Sequence, residues 1–396
     1  MFSQRTNWNL EENAYSRVVR RHRERGQPLL DLTISNPTVC GFRYDKAAIL
    51  RALASSAGLR YDPEPRGLVS ARAAVVEYYR EKNPRAALDP ERVILTTGTS
   101  EAYSFLFRLL CEPGDEILVA QPSYPLVDFL AAIHDVKLCA FPLVYDHGWQ
   151  FDFPALRQGI SSRTRAILLV HPNNPTGHFI SCAEAELISA ICSEHDLALV
   201  VDEVFLDYEL GVAEDHKKRH GTWMGNVEAL TFVLSGLSKI AALPQMKVGW
   251  VTASGPEGLV EDAMARLEII ADTYLSLNAP IQHALPELLA QRRAIQPQIL
   301  SRIKVNLGQL DQQLARQHSI SRLKIEGGWY AVLRVPARQS DEELAIRLIE
   351  EQSVLVHPGH FYEFAHDGYL VISLLTRVEE FAEGIARLTA GNEWRR

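Results

Sequence analysis

Short, almost continuously apolar runs alternate with amphipathic stretches through the middle of the chain. The runs that read as strands are Arg92–Thr97, Asp115–Ala120, Arg165–Val170, Leu197–Asp202, Leu230–Ser235 and Lys247–Thr252. Strands covered on both faces of a sheet have this apolar composition. Between two of them, residues 101–111 place Ala102, Phe105, Leu106 and Leu109 on one stripe of a helix. Such alternation predicts an α/β fold with a mostly parallel sheet flanked by helices.

The pattern changes after about Pro256, where two long helical stretches follow, broken near residues 278–280. Strands are then predicted at Leu323–Ile325, Tyr330–Val335, Val354–His357 and Tyr369–Leu374, with helices at Asp341–Gln352 and Glu379–Leu388. This mixture predicts a smaller α+β C-terminal domain. We therefore expect an N-terminal arm at 1–40 that packs with the small domain, a large domain at 41–280, and the small domain at 281–396.

Composition excludes several classes of protein. The net charge of −8 argues against a nucleic-acid binder. The five cysteines form no CxxC pair, which fits reduced thiols and predicts neither a disulfide framework nor a zinc site. The N-terminal sequence lacks the apolar core of a signal peptide, and no run approaches the ~18 apolar residues of a membrane span. The expectation is a soluble cytoplasmic protein without a membrane partner.

Chemistry-bearing residues follow the first two predicted strands, and ligands of open α/β sheets bind beyond the carboxyl ends of strands. Gly98, Thr99 and Ser100 precede a helix, where free N–H groups and the helix dipole can hold a phosphate. An ordinary N-cap by Thr99 or Ser100 explains the same residues. Tyr124 follows the second strand and could stack on a flat ligand or simply pack.

The next three strand ends carry an amide, a carboxylate and an amine. HPNNPTG predicts a rigid turn that presents Asn174, and we interpret His171 as a structural residue. Asp202 closes a buried strand and needs a cationic partner. A metal site around Asp202 lacks a suitably spaced histidine, so no metal is predicted. SGLSK then supplies Lys239, and Lys247 follows eight residues later. Together the five ends offer what pyridoxal 5′-phosphate requires.

TTGTSEA, PSYP, HPNNPTG, VDEVF and SGLSK with LPQMKVGW occur in this order across most of the chain. In these motifs the chain resembles the class I/II aminotransferases, which are fold-type I pyridoxal-phosphate enzymes of the aspartate aminotransferase superfamily. The resemblance implies that the large domain binds this cofactor. It also implies that Lys239 forms the Schiff base and moves the proton.

The remaining site residues also come from the resemblance. Asp202 would pair with the pyridine nitrogen, Asn174 with O3′, and Tyr124 would stack on the ring. The residues expected around the phosphate are Thr99, Ser100, Ser235, Ser238 and Lys247. The segment 61–79 resembles the family's tyrosine-proline-glycine segment, whose tyrosine reaches the neighbouring subunit. Tyr61 would therefore complete the site of a partner chain, which implies a homodimer with a shared active site.

Three positions depart from the family pattern. Lys247 stands where an arginine is usual, and Phe205 stands where a tyrosine usually donates to O3′. VISLLT aligns with the strand that carries the substrate-carboxylate arginine, which puts Val371 at that position. Either the substrate carboxylate is held elsewhere or the substrate has none. The arginines that could substitute are Arg43, Arg334 and Arg377.

The resemblance implies an aminotransferase that moves an amino group between an amino-acid-like donor and a keto acceptor. The alternative is a cofactor-dependent C–S (β-eliminating) lyase or other carbanion chemistry, since SGLSKIAAL faintly resembles that branch. A third hypothesis is a non-catalytic, cofactor-binding regulator. Such regulators usually carry an N-terminal DNA-binding domain, and the first ~40 residues are too few for one.

Overall fold

The computed structural model describes residues 1–84, 89–211 and 218–391. Its α-helices are α1 Ala14–Glu24, α2 Lys46–Leu53, α3 Val69–Lys82, α4 Thr99–Leu110, α5 Leu126–Ile133, α6 Phe153–Gln158, α7 Cys182–Glu194, α8 Leu237–Ile240, α9 Glu257–Tyr274, α10 Ala279–Ala290, α11 Arg292–Leu314, α12 Asp341–Gln352 and α13 Val378–Ala390. Its strands are β1 Leu30–Asp31, β2 Val93–Thr96, β3 Glu116–Gln121, β4 Lys137–Tyr145, β5 Trp149–Phe151, β6 Thr164–Val170, β7 Ala198–Asp202, β8 Thr231–Gly236, β9 Gly249–Ser254, β10 Ser321–Arg322, β11 Tyr330–Arg334, β12 Val354–Leu355, β13 His357–Pro358 and β14 Tyr369–Ser373.

A large sheet forms the centre of the molecule, with the strand order β2-β9-β8-β7-β6-β3-β4-β5. The contiguous strands from β8 to β4 are parallel, and β9, β2 and β5 pair antiparallel at the two sides. Alternate residues of β3 enter different apolar clusters. Ile117 and Val119 pack with α4, whereas Leu118 and Ala120 face the other side. Both faces are therefore covered, which confirms the predicted α/β architecture.

The six predicted central strands all exist, within two residues at each end. Two more, β4 and β5, were not predicted. Polar and apolar residues mix in KLCAFPLVY, and only Phe141 and Leu143 of β4 are buried. A half-exposed strand beside the sheet edge need not be continuously apolar, so the pattern that revealed the central strands does not reveal this one.

A four-stranded sheet, β10-β11-β14-β13, forms the C-terminal part. The predicted strand Val354–His357 is divided, because β12 pairs in parallel with β1 while β13 pairs with β14. The predicted strand Leu323–Ile325 is wrong. Arg322 is the last residue of the strand, although the Leu323 N–H still donates to the Val332 carbonyl, 2.9 Å away. The chain then leaves the sheet, and the Glu326 N–H donates to the Gly177 carbonyl, 3.1 Å away. The predicted helix Asp341–Gln352 is confirmed and begins with a capping box of Ser340 and Glu343.

The N-terminal segment reaches the C-terminal part through the pairing of β1 with β12. The Tyr15 hydroxyl also donates to the Val356 carbonyl, 2.7 Å away. The division into an arm and two domains at residues 40 and 280 stays a prediction. Within the described ranges, no helix is long and apolar enough to cross a bilayer.

Gly249 of β9 lies close to the backbone of Gly98, and this contact leads to a prediction about stability. A Cβ on Gly249 would lie 2.8 Å from backbone atoms of Gly98, which cannot rotate away. Gly249→Ala should therefore lower the midpoint of urea unfolding, by about 1–3 kcal/mol in unfolding free energy.

The matched control is Gly308→Ala in α11, where no atom lies within 4 Å of the added methyl group. That substitution should raise the unfolding free energy by about 0.5–1 kcal/mol, because alanine favours the helix. Equal midpoints for the two variants would contradict the packing argument.

Candidate active site

A cavity of about 420 Å³ lies where the strand ends of the large sheet meet the C-terminal sheet. The predicted site residues that line it are Thr99, Ser100, Tyr124, Asn174, Asp202, Phe205, Ser238, Lys239 and Lys247. These residues are up to about 150 positions apart in sequence, and they converge because parallel strands end at one edge of their sheet. The sequence therefore predicted most of one wall of the cavity.

Lys239 lies on α8, the single helical turn that follows β8. The turn can pass close to its neighbour because Gly236 precedes it, and a Cβ there would lie 2.6 Å from the Val248 carbonyl. The Lys239 Nζ lies 5.7 Å from the ring centre of Phe205 and 5.6 Å from that of Trp329. Burial lowers the pKa of Lys239, and Asp202 partly offsets this effect. The amine therefore gives up its proton more readily than a surface lysine.

Asp202 ends β7 and is 6% exposed. One carboxylate oxygen accepts from the Val204 N–H at 3.0 Å, and the other accepts from the Tyr103 hydroxyl at 2.9 Å. Burial raises the pKa of Asp202, while these two donors and Lys239 act in the opposite direction. A carboxylate can accept further hydrogen bonds, so this side chain keeps acceptor capacity toward the cavity.

The start of α4 forms a cationic corner of the cavity. Gly98 occupies the N-cap and supplies no capping side chain, so capping by Thr99 or Ser100 is wrong. The Nζ of Lys247 lies 4.0 Å from the point where a Cβ on Gly98 would be. Uncapped N–H groups, two hydroxyl side chains and an ammonium group together suit an anion such as a phosphate.

Two predicted residues carry buried polar atoms without a hydrogen-bond partner, namely Oδ1 of Asn174 and Oγ of Ser235. The neighbouring Asn173 is different, because its Oδ1 accepts from the Thr176 hydroxyl at 2.7 Å. Buried polar groups are rarely left unpaired in native proteins. Asn174 lines the cavity, so an occupant with polar atoms would satisfy it. Ser235 is fully buried at the end of β8 and does not line the cavity.

His171 is structural, as expected. Burial lowers its pKa to about 3, and its Nε2 lies 3.1 Å from the carbonyls of both His220 and Gly221. A neutral imidazole that donates to these carbonyls links the first residue of the HPNNPTG turn to residues 220–221.

Tyr61 is not brought into this cavity. Its side chain is 79% exposed and lines a separate hollow of about 380 Å³, together with Pro63 and Asn278. Within one chain, Tyr61 therefore does not contact the other predicted site residues.

Neither Val371 nor the three candidate arginines place a guanidinium group in the cavity. Val371 is fully buried in β14. Arg43, Arg334 and Arg377 are exposed, and among the described residues no arginine lines the cavity. None of the three candidates therefore replaces the missing guanidinium within this chain.

Sequence reasoning missed several lining residues, namely Ser35, Tyr103, Tyr330, His357 and Tyr362. Tyr103 could have been found, because it lies four residues after Thr99 and so on the same face of α4. Ser35 comes from the N-terminal segment, Tyr330 and His357 from the C-terminal sheet, and Tyr362 from the short turn that follows β13. No motif marks them, and only the pairing of distant strands brings them to the cavity.

Comparison with known proteins identifies the family. Residues 28–388 match the aminotransferase class I and II family. The chain belongs to this family. The glutamate-pyruvate aminotransferase AlaA of Haemophilus influenzae is 26% identical over 371 residues, which cover 92% of this chain and 91% of that protein. The arginine–pyruvate transaminase AruH of Pseudomonas aeruginosa is 27% identical over 394 residues, which cover 96% of this chain and 93% of that protein.

Solved structures agree on the fold. The alanine aminotransferase from Pyrococcus furiosus superposes with a TM-score of 0.89 over 100% of both chains, at 24% identity. The 396-residue protein is therefore an enzyme that transfers amino groups with pyridoxal phosphate. The cavity suits that cofactor, because it combines an anion-binding helix start, a buried carboxylate, an unpartnered amide and a lysine. The comparisons support transamination over the lyase and regulator alternatives.

Glu203 follows Asp202 but belongs to the protein interior. It is 1% exposed, and its carboxylate accepts from the Thr222 hydroxyl at 2.7 Å and the Trp223 N–H at 2.6 Å. Burial dominates and raises the pKa of Glu203 to about 8. The folded enzyme therefore keeps a proton that the unfolded chain loses at a much lower pH.

Glu203 generates a pH prediction. Because its folded pKa lies above its unfolded value, the group lowers the free energy of unfolding progressively as pH rises from about 5 toward 8. Glu203→Gln keeps the size and one acceptor but does not titrate. Its urea midpoint should therefore fall less across this pH range than that of the unmodified enzyme. Exposed Glu261→Gln is the control and should track the unmodified enzyme. Parallel curves for all three proteins would contradict the assignment.

Proposed function

We propose that Lys239 is the catalytic residue and that the surrounding side chains hold pyridoxal phosphate. The observation that carries this proposal is the convergence of five strand ends on one buried amine. When bound, the cofactor supplies a carbonyl for the amine and a ring that accepts electrons from the substrate. The Nζ of Lys239, whose pKa is lowered by burial, can accept and return a proton in this cavity.

The proposed contacts are supported by the side chains that line the cavity. Asp202 offers a buried negative charge to a cationic ring nitrogen, and Asn174 offers its unpartnered amide. Tyr124 and Phe205 provide aromatic surface, although Phe205 has no hydroxyl to donate. The residues that would surround the phosphate are Thr99, Ser100, Ser238 and Lys247, with Ser235 buried behind them.

We propose an amino acid as donor and a 2-oxo acid as acceptor. The named reactions of the relatives in Haemophilus influenzae and Pseudomonas aeruginosa differ in the donor but share pyruvate. Pyruvate is therefore the first acceptor to assay. We place the enzyme in the cytoplasm, which is supported by its five free cysteines, since thiols stay reduced in that compartment.

We propose a homodimer with isologous symmetry, in which Tyr61 completes the partner's site. This is supported by the exposure of Tyr61 and by its separation from the cavity of its own chain. An aromatic hydroxyl that serves neither packing nor a local hydrogen bond is available to a neighbouring phosphate.

The cofactor assignment is tested by chemical trapping. Borohydride reduction of the cofactor-loaded enzyme, followed by peptide mass mapping, should place a pyridoxyl group on Lys239. The low pKa of this amine and its position among the cofactor ligands are the reasons for this expectation. Lys239→Ala should give no adduct, while Lys247→Ala should still be labelled. An adduct on Lys247 in the unmodified enzyme would refute the assignment.

The shared site is tested by mixing inactive chains. Tyr61→Phe and Lys239→Ala each impair a different component of a site. Hybrid dimers should contain one intact site, so co-refolded mixtures should regain up to about a quarter of the unmodified activity, if chains pair at random. Lys239→Ala mixed with Lys247→Ala is the control and should regain nothing beyond the parents, because both residues act within one chain. Equal recovery in the two mixtures would rule out sharing through Tyr61.

A further inference from the structure

The described lining of the cavity contains three titratable nitrogen groups, namely Lys239, Lys247 and His357. The first is the proposed catalytic amine, and the second lies beside Gly98 at the helix start. His357 is the remaining one, and it comes from the C-terminal sheet. The side of the cavity that holds it is otherwise made of hydroxyl-bearing side chains, which are Ser35, Tyr330 and Tyr362.

His357 has an unsatisfied hydrogen-bonding group. Its Nδ1 is buried and has no partner. The ring packs edge-on against Tyr362, with centroids 5.8 Å apart at 88°, and lies 6.0 Å from Phe361. These contacts fix the plane of the imidazole without using its nitrogens. A ring so held is a preorganised donor for a ligand in the cavity.

The strand register adds an independent argument. The Cα of His357 pairs with that of Val371 in the antiparallel ladder between β13 and β14. Directly paired residues project to the same face of a sheet, with Cβ atoms about 4.5–5.5 Å apart. His357 therefore lies beside Val371, the position at which the family pattern places an arginine.

We propose that His357 is the specificity-determining residue that recognises the carboxylate of the substrate, as a charge-assisted donor in place of an arginine. The inference rests on the proposed function, in which an amino acid and a 2-oxo acid enter this cavity. A carboxylate that leaves water needs a partner of opposite charge. Imidazolium offers one directed N–H at a time, whereas guanidinium offers a bidentate fork, so binding is weaker and depends on pH.

The sign of the pH dependence follows from the surroundings of the ring. Burial lowers the pKa of His357, and Asp31 on β1 partly opposes this. The other titratable groups that share its surroundings are Tyr362 against the ring, His360 on the same turn, and Tyr124, Tyr330, Asp202, Lys239 and Lys247 around the cavity. A bound carboxylate favours the charged ring and raises its pKa. Carboxylate affinity should therefore be greater at about pH 6 than at about pH 8.5.

The test uses propionate, which has the carboxylate and carbon chain of alanine but no amino group to react. Its dissociation constant is measured by titration calorimetry with the cofactor-loaded enzyme and with His357→Phe. Near pH 6 the variant should bind about tenfold or more weakly, the usual loss for a charge-assisted hydrogen bond. Near pH 8.5 the ratio of the two constants should fall several-fold. Any pH dependence that comes from Lys239 or the cofactor is common to both proteins and cancels in the ratio.

Two further variants separate recognition from packing. His360→Phe changes an exposed histidine of the same turn and should leave the propionate constant unchanged. His357→Gln keeps a hydrogen-bonding group without a titrating charge, so its affinity for propionate should be intermediate near pH 6. The ratio of its propionate dissociation constant to that of His357→Phe should not vary with pH. Circular dichroism and the absorbance of bound cofactor check that each variant is folded and loaded.

The deciding ratio is the propionate dissociation constant of His357→Phe divided by that of the unmodified enzyme. The proposal is overturned if this ratio stays near one, if it is the same at both pH values, or if the unmodified enzyme does not bind propionate near pH 6. Borohydride labelling of Lys239 in the same preparations distinguishes the two levels of inference. A labelled enzyme with a flat ratio refutes only the role of His357. An unlabelled enzyme refutes the proposed function itself.

Discussion

The cost of desolvating Asp202 and Lys239 where they line the same cavity governs the arrangement of the site. Each charge loses hydration, and each shifts in the direction that desolvation dictates, the acid upward and the amine downward. The fold limits the cost by supplying fixed donors to the carboxylate, from the Val204 N–H and the Tyr103 hydroxyl. The amine is instead surrounded by the rings of Phe205 and Trp329. Holding an acid and an amine at fixed positions in this cavity requires rigid surroundings, and the large sheet provides them.

The central strands were predictable because both sides of the sheet are covered. Alternate residues of β3 enter separate apolar clusters, and this double burial makes the run continuously apolar. The strand β4 escaped detection because much of it faces solvent. The divided run at 354–358 escaped for another reason, since residues 354–355 and 357–358 pair with different partners. Local composition predicts whether a segment is buried, but it does not predict which strand the segment pairs with.

The same distinction applies to the site. Asn174, Asp202 and Lys239 stand at strand ends within recognisable motifs, so their convergence follows from the topology of a parallel sheet. Tyr330, His357 and Tyr362 reach the cavity only through the fold of the C-terminal sheet, and no short motif marks them. The expectation that Thr99 or Ser100 caps α4 failed because the N-cap position belongs to Gly98. A shift of one residue along the chain decides whether a hydroxyl-bearing residue caps a helix or lines the cavity.

The two walls of the cavity differ in their tolerance of change. At the helix start and the lysine turn, the wall depends on the close approach of Gly236 and Gly249 to neighbouring backbone, because a methyl group added at either position would meet main-chain atoms. The facing wall consists of side chains from the N-terminal segment and the C-terminal sheet, such as Ser35 and Tyr330. Duplicated genes for such a protein can therefore diverge in the second wall while the first stays fixed. Substitutions that change specificity while leaving the lysine turn intact are therefore expected in the second wall, far along the chain from Lys239.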